Sequence, residues 1–320
     1  MSAPTTTPPP PATATPPRAV QQPGDRIFAA SARGAGILIL VVLAGVAAFL
    51  VIQAIPALVA NPADLPGGKN IAVYVAPFVF GTVVSSAIAL IIATPLAIAV
   101  ALFITHYAPR RLAQGLGYLI DLLAAVPSIV FGLWGLAVLA PAMLGLSTWL
   151  NTYLGWIPLF AGPVSVTGRT MLVVGVTLAV MILPIITAVS REVFLQTPKL
   201  HEEAALALGA TRWEMIRMSV LPFGRSGIIS GAMLGLGRAL GETMAVAIIL
   251  SGSSIITFNL ISSGNPSSIA ANIALNFPDS TGVAVNTLIA SGLVLFVITL
   301  LVNSLARYII NRRREFSGAN

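Results

Sequence analysis

Two ionisable side chains lie within one apolar run, residues 226–250, and both are suited to chemistry in a nonpolar surrounding. A helix starting at Ser226 places Arg238 about 18 Å along its axis and brings Glu242, at i+4, within reach of it. A guanidinium binds the oxygens of phosphate-like anions in bidentate fashion. Because an ionised group inside a bilayer costs about 2.5–3.5 kcal/mol, we expect it to serve a function. Arg238, Glu242 and Thr243 are therefore predicted to line an anion path, with Glu242 competing for Arg238. The alternative is a buried ion pair that only fixes helix register.

Glycines accompany these charges. At 100° per residue, Gly231, Gly235, Arg238 and Glu242 fall within a stripe of roughly 60°. Glycines four residues apart allow a neighbouring helix to approach closely. The stripe is thus predicted to face another helix or a polar path rather than lipid. The glycines predicted to mediate helix packing are Gly231, Gly235, Gly237 and Gly241.

The polar stretch after the fourth apolar run carries signals for two short helices. Thr197 is placed to cap the first helix, and Gly209 to end it with a positive φ angle. Thr211 and Glu214 form a capping box for the second helix, which Pro222 ends. We also expect Leu208, Trp213 and Met215 to be exposed. Exposed apolar residues rimmed by charge favour a partner surface over a loop that packs only on its own spans.

This stretch also carries a motif. Glu203-Ala204-Ala205, then Gly209, then Leu221-Pro222 resembles the EAA loop of ABC importer permeases, although Ser219 stands where the pattern has isoleucine. The resemblance implies a type I permease fold whose cytoplasmic coupling helix sits in a groove of the ATPase subunit. The residues to which it assigns this coupling are Glu203, Ala204, Ala205, Gly209, Leu221 and Pro222.

The chain lacks the residues for ATP hydrolysis and for most other catalysis. It has no phosphate-binding loop, since Gly67-Gly68-Lys69-Asn70 lacks the first glycine and the hydroxyl residue. It has no cysteine, and neither of its two histidines lies in the interior of an apolar run. We therefore expect no enzyme, no cofactor and no metal site here, and ATP and Mg²⁺ to be used by a partner ATPase.

Composition excludes a soluble domain. Of the 320 residues, 57% are hydrophobic and only 8% charged, against about 25% charged in soluble domains. Six apolar runs are each long enough to span a bilayer as a helix. They cover residues 36–60, 76–105, 119–141, 170–190, 226–250 and 285–306. The predicted fold is an all-α membrane protein with six transmembrane helices.

The basic residues indicate the orientation. Fourteen of the 17 lysines and arginines flank the runs on one side, whereas Lys69 and Arg169 lie on the other. The positive-inside rule then places both termini in the cytoplasm. The net charge of +7 reflects this topology, so we expect no nucleic-acid partner.

The remaining segments complete the predicted organisation. Residues 1–30 form a proline-rich, disordered cytoplasmic tail, and residues 311–320 a basic tail. The permease domain covers residues 31–310 and includes the coupling loop, 192–225. Two long external loops, 142–169 and 252–284, have no predicted fold. The first contains an aromatic stripe typical of an interfacial anchor, with a docking surface as the alternative; the stripe comprises Trp149, Tyr153, Trp156 and Phe160.

Two further segments resemble one particular family among the ABC importer permeases. Residues 237–246 and 126–135 resemble the fifth-span and third-span signatures of PstC, the family of phosphate-importer permeases, over roughly residues 30–310. The family implies a bacterial inner-membrane complex with a PstA-like second permease, two PstB-like ATPases and a PstS-like external phosphate-binding protein. Only the resemblance selects phosphate over sulfate or molybdate. A secondary anion transporter or channel is the alternative from another class, but it has no use for the capped loop.

Overall fold

The computed structural model describes residues 23–314, which form helices joined by turns and loops. The helices in chain order are α1 (Pro23–Val59), α2 (Ile71–Leu102), α3 (Arg110–Ala124), α4 (Ser128–Trp134), α5 (Ala140–Leu154), α6 (Met171–Leu195), α7 (Lys199–Ala207), α8 (Arg212–Met215), α9 (Leu221–Leu240), α10 (Met244–Ile249), α11 (Ile269–Asn276) and α12 (Val283–Arg314). Three π-helical turns follow α2, α4 and α8 at Phe103–Tyr107, Gly135–Leu139 and Ile216–Val220.

Five helical segments of the described chain are long and apolar enough to cross a membrane. They are α1, α2 with its π-helical turn, α4 continued into α5, α6, and α12. The predicted all-helical membrane fold is therefore confirmed. The run 226–250 is not among the five, because its helix is interrupted after Leu240. The total of six crossings stays a prediction.

The chain divides into two compact units, residues 1–49 and 50–320. The described part of the first unit is helical, and almost all of its side chains are exposed. Because α1 begins at Pro23, residues 23–30 are helical rather than part of a disordered tail. The rest of that predicted tail lies outside the described residues. At the other end α12 continues to Arg314, so the first residues of the predicted basic tail are helical as well.

Helix α6 forms the centre of the second unit. About 61% of its apolar window is buried, against 33% or less for the other candidate spans. Helices α2 and α9 pack against it. On α2 the contact surface is a stripe of small residues four positions apart, Ala89, Ala93 and Ala97, all fully buried. Small side chains let helix backbones approach closely, which is how helices associate where lipid offers equal hydrophobicity.

The third predicted run has different boundaries in the structure. Helix α3 ends at Ala124, and Pro127 is the N-cap of α4, so the membrane-length segment is Ser128–Leu154 rather than 119–141. Proline disfavours a helical conformation of the residue before it, which explains the break. The predicted external loop 142–169 is correspondingly shorter. Trp149 and Tyr153 lie on α5 with ring centroids 5.4 Å apart.

The second half of the loop between α10 and α11, residues 259–268, is largely buried. The Met171 N–H at the start of α6 donates to Asn265 Oδ1 at 2.9 Å, and the Ile269 N–H donates to Thr82 Oγ1 of α2 at 2.9 Å. A side chain at Gly81 would overlap the Ser267 carbonyl, so glycine is needed for this approach. The loop therefore fixes the end of α10 relative to α2 and α6.

Candidate functional site

A break in the helix separates Arg238 from Glu242. Helix α9 ends at Leu240, and residues 241–243 are not helical. The Glu242 N–H donates to the Ala239 carbonyl at 3.3 Å, which closes the last turn of α9. The predicted continuous helix over this run is therefore wrong. Glu242 does not occupy the i+4 position that the helical periodicity assigned to it.

The Glu242 side chain caps α10 instead of pairing with Arg238. It is 6% exposed, and its Oε1 accepts a hydrogen bond from the Ala245 N–H at 3.0 Å. A carboxylate at this position satisfies a free N–H and interacts favourably with the helix dipole. Its own carbonyl accepts a hydrogen bond from Ser268 Oγ at 3.3 Å. Across residues 23–314 the predicted ion pair with Arg238 is not formed.

Arg238 is half-buried and has no hydrogen-bond or ion-pair partner in the described chain. It borders the exposed face of α9, which carries Ser230, Leu234 and Gly237, with Gly241 just beyond the helix. Three of these four are small or polar, so the face is poorly suited to lipid. An intramembrane guanidinium needs compensation by an anion, by water or by a polar group. The geometry leaves all donors of Arg238 available to a ligand along this face.

Helix α10 is held in place by two glycines and an arginine. A Cβ at Gly132 would lie 2.9 Å from the α10 backbone, and one at Gly135 would lie 2.8 Å from Ile249 Cδ1. At the other end of α10, Arg169 Nε donates to the Ile249 carbonyl at 2.9 Å and Nη2 to the Ile248 carbonyl at 3.1 Å. These carbonyls have no partner within the helix. Helix α10, which follows Arg238 and is capped by Glu242, is thus fixed by close packing and by the contact of Arg169 with its C-terminal carbonyls.

The glycines of α9 separate into two groups. A Cβ at Gly231 would lie 3.1 Å from a valine Cβ of α6, and one at Gly235 would lie 3.0 Å from Ile186 Cδ1. These two glycines lie in the close contact between α9 and α6. Gly237 has no heavy atom within 4 Å of its Cβ position, and Gly241 has only the Gly237 carbonyl at 3.6 Å. Neither packs against another helix among the described residues.

The connection between α7 and α8 has the predicted glycine geometry. Gly209 has a φ angle of +84°. Its N–H donates to the Leu206 carbonyl at 3.0 Å, and the Ala210 N–H donates to the Ala205 carbonyl at 3.2 Å. Together these bonds are the Schellman motif, which satisfies the last carbonyls of α7. The predicted positive φ at this glycine is confirmed.

The EAA residues are distributed over two faces of α7. Glu203 and Ala204 are exposed, whereas Ala205 is buried in a small apolar cluster beneath the helix. Leu221 packs against that cluster. Pro222 does not end the second helix as predicted, because α8, the π-helical turn Ile216–Val220 and α9 follow one another without a break. A local π-helical adjustment of this kind accommodates the missing N–H of a proline. The inward residues thus hold α7 on the membrane helices, and the outward ones face solvent.

The two predicted N-caps have different outcomes. Thr211 and Glu214 form the capping box: the Thr211 N–H donates to Glu214 Oε2 at 2.8 Å, and the Glu214 N–H donates to Thr211 Oγ1 at 3.3 Å. The bonds from the Thr211 backbone and hydroxyl lower the pKa of the Glu214 carboxyl. Thr197 does not cap α7, because Pro198 occupies the N-cap position and the Thr197 hydroxyl is buried without a partner.

An apolar surface surrounds the turn between α7 and α8. Leu208 is 89% exposed, and Leu200, Trp213 and Met218 are exposed as well. Met215, predicted to be exposed, is buried because it joins the cluster beneath α7. An exposed apolar patch among charged side chains is typical of a binding surface for another protein.

Three contacts had no signal in the sequence. Ser219 Oγ donates to the His201 carbonyl at 3.3 Å, so the serine at the isoleucine position of the motif ties the start of α7 to the π-helical turn before α9. His106 Nε2 lies 3.7 Å from Glu202 Oε1, which joins α7 to the end of α2. The third is the contact of Arg169 with α10. Each partner is far away in sequence or belongs to the backbone, so spacing alone does not reveal it.

Comparisons with known proteins identify the class. Residues 93–315 match the sequence family described as "Binding-protein-dependent transport system inner membrane component". Among solved structures, a bacterial ABC transporter that imports the acidic polysaccharide alginate gives a TM-score of 0.54 at 16% identity, covering 74% of this chain and 79% of that one. The MetNI methionine ABC transporter gives 0.50 at 16% identity, covering 75% and 94%. These likenesses define the fold as that of an ABC importer permease.

Relatives by sequence define the family more narrowly. The phosphate transport system permease protein PstC 2 of Mycobacterium tuberculosis is 47% identical over 298 residues, covering 89% of this chain and 91% of its own. PstC of Mycobacterium leprae is 48% identical over 279 residues, covering 83% and 87%. PstC of Mesorhizobium japonicum is 40% identical over 312 residues, covering 92% of both chains. The chain belongs to the PstC family of phosphate transport system permease proteins.

Proposed function

We propose that this chain is the permease subunit of an ATP-driven phosphate importer and forms half of its translocation path. The observation that carries the proposal is Arg238, a half-buried cation without a partner in the described chain, beside a face of small and polar residues. The guanidinium fork suits a tetrahedral oxyanion. The names of the relatives support phosphate as that anion.

The second part of the proposal concerns the partners. A PstA-like permease covers the exposed face of α9 and completes the path around Arg238. Two PstB-like ATPases bind ATP and Mg²⁺, and one of them receives the exposed surface of α7, with Glu203, Ala204 and Gly209. Leu221 and Pro222 connect this part of the chain to α9. A PstS-like protein delivers phosphate from outside. The exposed apolar residues around the α7–α8 turn support the ATPase contact, because a solvated loop has no need of them.

The third part is the topology. We infer that both termini lie on the cytoplasmic side of the inner membrane, since the basic residues cluster at the ends and in the loop that contains α7. Helices α9 and α10 together complete a sixth crossing as a broken helix. Broken helices at membrane depth are tolerated where the interruption is buried in protein or lines a polar cavity.

Stimulation of ATP hydrolysis by the transported anion tests the function. The complex of this chain with its permease, ATPase and binding-protein partners is purified in lipid nanodiscs. We expect phosphate with the binding protein to raise ATP hydrolysis several-fold, and sulfate and molybdate to leave it at the basal rate. The complex without binding protein is the control. Equal stimulation by sulfate or molybdate would overturn phosphate as the substrate.

A further inference from the structure

A cavity of about 270 Å³ lies between the start of α2, the segment that follows α10, and α11. Its volume is below the range of about 300–1,000 Å³ that is typical of drug-sized ligands, so it suits a small hydrated ion. It lies at the end of α2 opposite α7, and under the proposed topology it opens on the outer side of the membrane. We call it the outer cavity; the polar side chains that line it are Lys69, Tyr74, Ser254, Asn272 and Asn276.

Lys69 gives the outer cavity a positive charge that no carboxylate neutralises. The described residues that line the cavity include this one cation and no acidic side chain. Lys69 also has no hydrogen-bond or ion-pair partner within residues 23–314. Its position just before α2 adds the partial positive charge of a helix N-terminus. The other cation predicted on this side, Arg169, already donates to the α10 carbonyls. An anion is therefore the ligand that the cavity attracts.

The Tyr74 hydroxyl is a second donor, and a chain of hydrogen bonds holds it in position. Asn276 Nδ2 donates to Asn272 Oδ1 at 3.0 Å, which fixes the orientation of that amide. Asn272 Nδ2 then donates to the Tyr74 oxygen at 3.2 Å, and the Tyr74 ring packs edge-on against Phe78 with centroids 5.5 Å apart. The proton of the Tyr74 hydroxyl has no acceptor in the described chain. It is therefore available to an anion in the cavity.

The elements around the outer cavity are attached to the helix break that follows Arg238. The segment after α10 and helix α11 both line the cavity. Ser268 is the N-cap of α11, and its Oγ accepts from the helix backbone at 3.2 Å. The same hydroxyl donates to the Glu242 carbonyl at 3.3 Å. The outer cavity is thus fixed to the segment between α9 and α10, where Arg238 is available to an anion.

An apolar groove adjoins the outer cavity and points to a second source of phosphate oxygens. The groove has a volume of about 560 Å³, shares Lys69 and Ser254 with the cavity, and is otherwise lined by residues of α2 and by Ile255 and Ile256. A lipid chain in this groove would bring its headgroup phosphate to the lysine. The Tyr74 hydroxyl lines the cavity but not the groove. The combined donors therefore favour the free anion over the lipid.

We propose that the outer cavity binds inorganic phosphate before the anion reaches Arg238, with the Lys69 ammonium and the Tyr74 hydroxyl as its donors. This inference rests on the proposed function, which makes phosphate the transported anion. The ammonium supplies a charge-assisted hydrogen bond, and the tyrosine bond fixes the anion in the cavity. An ammonium is a point charge without the fork of a guanidinium. It therefore suits a first contact that must release the anion again.

The first test uses the two lysines of the chain, Lys69 and Lys199. The full chain in phosphatidylcholine nanodiscs is acetylated with an N-hydroxysuccinimide ester, and peptide mass spectrometry gives the rate at each lysine. We expect inorganic phosphate to slow acetylation of Lys69, about threefold at twice the dissociation constant, relative to chloride at equal ionic strength. Lys199 is the internal reference and should react equally in both salts. Equal rates at Lys69 in phosphate and chloride would overturn the site.

The same reaction in dodecyl maltoside, without phospholipid, distinguishes the two sources of phosphate oxygens. For the free anion we expect fast acetylation of Lys69 in nanodiscs and in maltoside, and slowing in both when inorganic phosphate is added. Slow acetylation in phosphate-free nanodiscs that becomes fast in maltoside would assign the cavity to a lipid headgroup and overturn the proposal.

Substitution of Tyr74 tests the second donor. Tyr74→Phe keeps the ring against Phe78 and removes the O–H. The phosphate concentration that gives half-maximal protection of Lys69 should then rise about two- to tenfold, as loss of one hydrogen bond implies. Tyr153→Phe is the matched control, since Tyr153 also packs on an aromatic ring and lies on the predicted outer side; it should leave this concentration unchanged. No change in Tyr74→Phe would contradict the assignment of the donors.

Phosphate uptake by proteoliposomes with the whole complex, normalised to assembled complex, tests whether the cavity serves transport. Lys69→Gln should lower uptake about two- to fivefold, since solvent screens an exposed charge, and Lys69→Arg should retain most of it. Wild-type uptake by Lys69→Gln would overturn the role of the cavity in transport. A wild-type complex whose ATP hydrolysis phosphate does not stimulate would instead overturn the proposed function, because the acetylation test needs no ATPase and reports on the cavity alone.

Discussion

At the residue scale, the carboxylate of Glu242 accepts a hydrogen bond from the backbone at the start of α10, and the donors of Arg238 have no partner among the described residues. The Ala245 N–H and the Glu242 carboxylate satisfy each other, which makes burial of this acid tolerable. Arg238 has no comparable partner within residues 23–314. The two charges therefore have separate roles: the acid stabilises the broken helix, and the base is available to an anion.

Substitution of Glu242 tests this division. Glu242→Gln retains an oxygen that accepts from the Ala245 N–H, so we expect thermal stability of the assembled complex close to that of the wild type. Glu242→Leu removes the cap and should lower the free energy of unfolding by about 1 kcal/mol. The measurement is the thermal unfolding midpoint of the purified complex. Equal midpoints for the Leu and Gln variants would show that the cap contributes nothing.

The same residues show how far the sequence predicts this site. Gly209 and the box of Thr211 with Glu214 were predictable, because each depends on φ angles and hydrogen bonds within a few residues. The position of Glu242 was not, because helical periodicity assumes that the helix continues past Gly241. What ends it is tertiary: α10 packs on Gly132 of α4 and on Gly135 of the π-helical turn that follows, and the Ser268 hydroxyl from a distant loop donates to the Glu242 carbonyl.

At the element scale, close helix contacts depend on where the small residues face. Gly231 and Gly235 allow α9 to lie against α6, while Gly237 lies on the exposed side of the same helix. The four-residue spacing of the glycines predicted that some of them mediate packing, but not which ones. Residues four positions apart lie on nearly the same face of a helix only where the helix is unbroken. The break at 241 therefore removes Gly241 from any stripe on α9.

A pair of valine substitutions on α9 tests this assignment. Gly231→Val adds side-chain atoms where a Cβ already approaches Val189 Cβ to 3.1 Å, and overpacking of this kind costs about 1–3 kcal/mol. Gly237→Val meets no heavy atom of the described residues within 4 Å of its Cβ position and serves as the matched control. We expect the first variant alone to lower the unfolding midpoint of the isolated chain in detergent. An equal loss in both would contradict the proposed packing face.

At the scale of the whole molecule, the chain exposes two surfaces that suit contacts with other proteins. The face of α9 beside Arg238 is exposed and carries small and polar residues, and the surface around Leu208 is an exposed apolar patch among charged side chains. Composition and run lengths predicted the helical membrane fold. They did not predict the loop between α10 and α11, because its bonds to α2 and α6 join residues up to 187 positions apart.

Single-cysteine labelling tests the topology. The chain has no cysteine, so each introduced thiol is unique. Val166→Cys and Leu208→Cys are matched probes, since both native side chains are 89% exposed. With a membrane-impermeant maleimide on intact cells, we expect label at position 166 and none at 208 until the membrane is permeabilised; the wild-type chain is the blank. Labelling of position 208 in intact cells would contradict the cytoplasmic placement of α7.

The measurement that tests the central claim most directly is phosphate uptake by proteoliposomes that contain the whole complex, normalised to assembled complex. Because Glu242 is bonded to α10, Arg238→Leu leaves no unpaired carboxylate, and we expect this variant to assemble normally. Its uptake should fall about tenfold or more, as loss of a charged hydrogen bond implies. Arg238→Lys should also be impaired, because an ammonium lacks the fork. Met233→Leu, on the same helix, should transport normally. Wild-type uptake by Arg238→Leu would contradict the account and leave Arg238 outside the path of the anion.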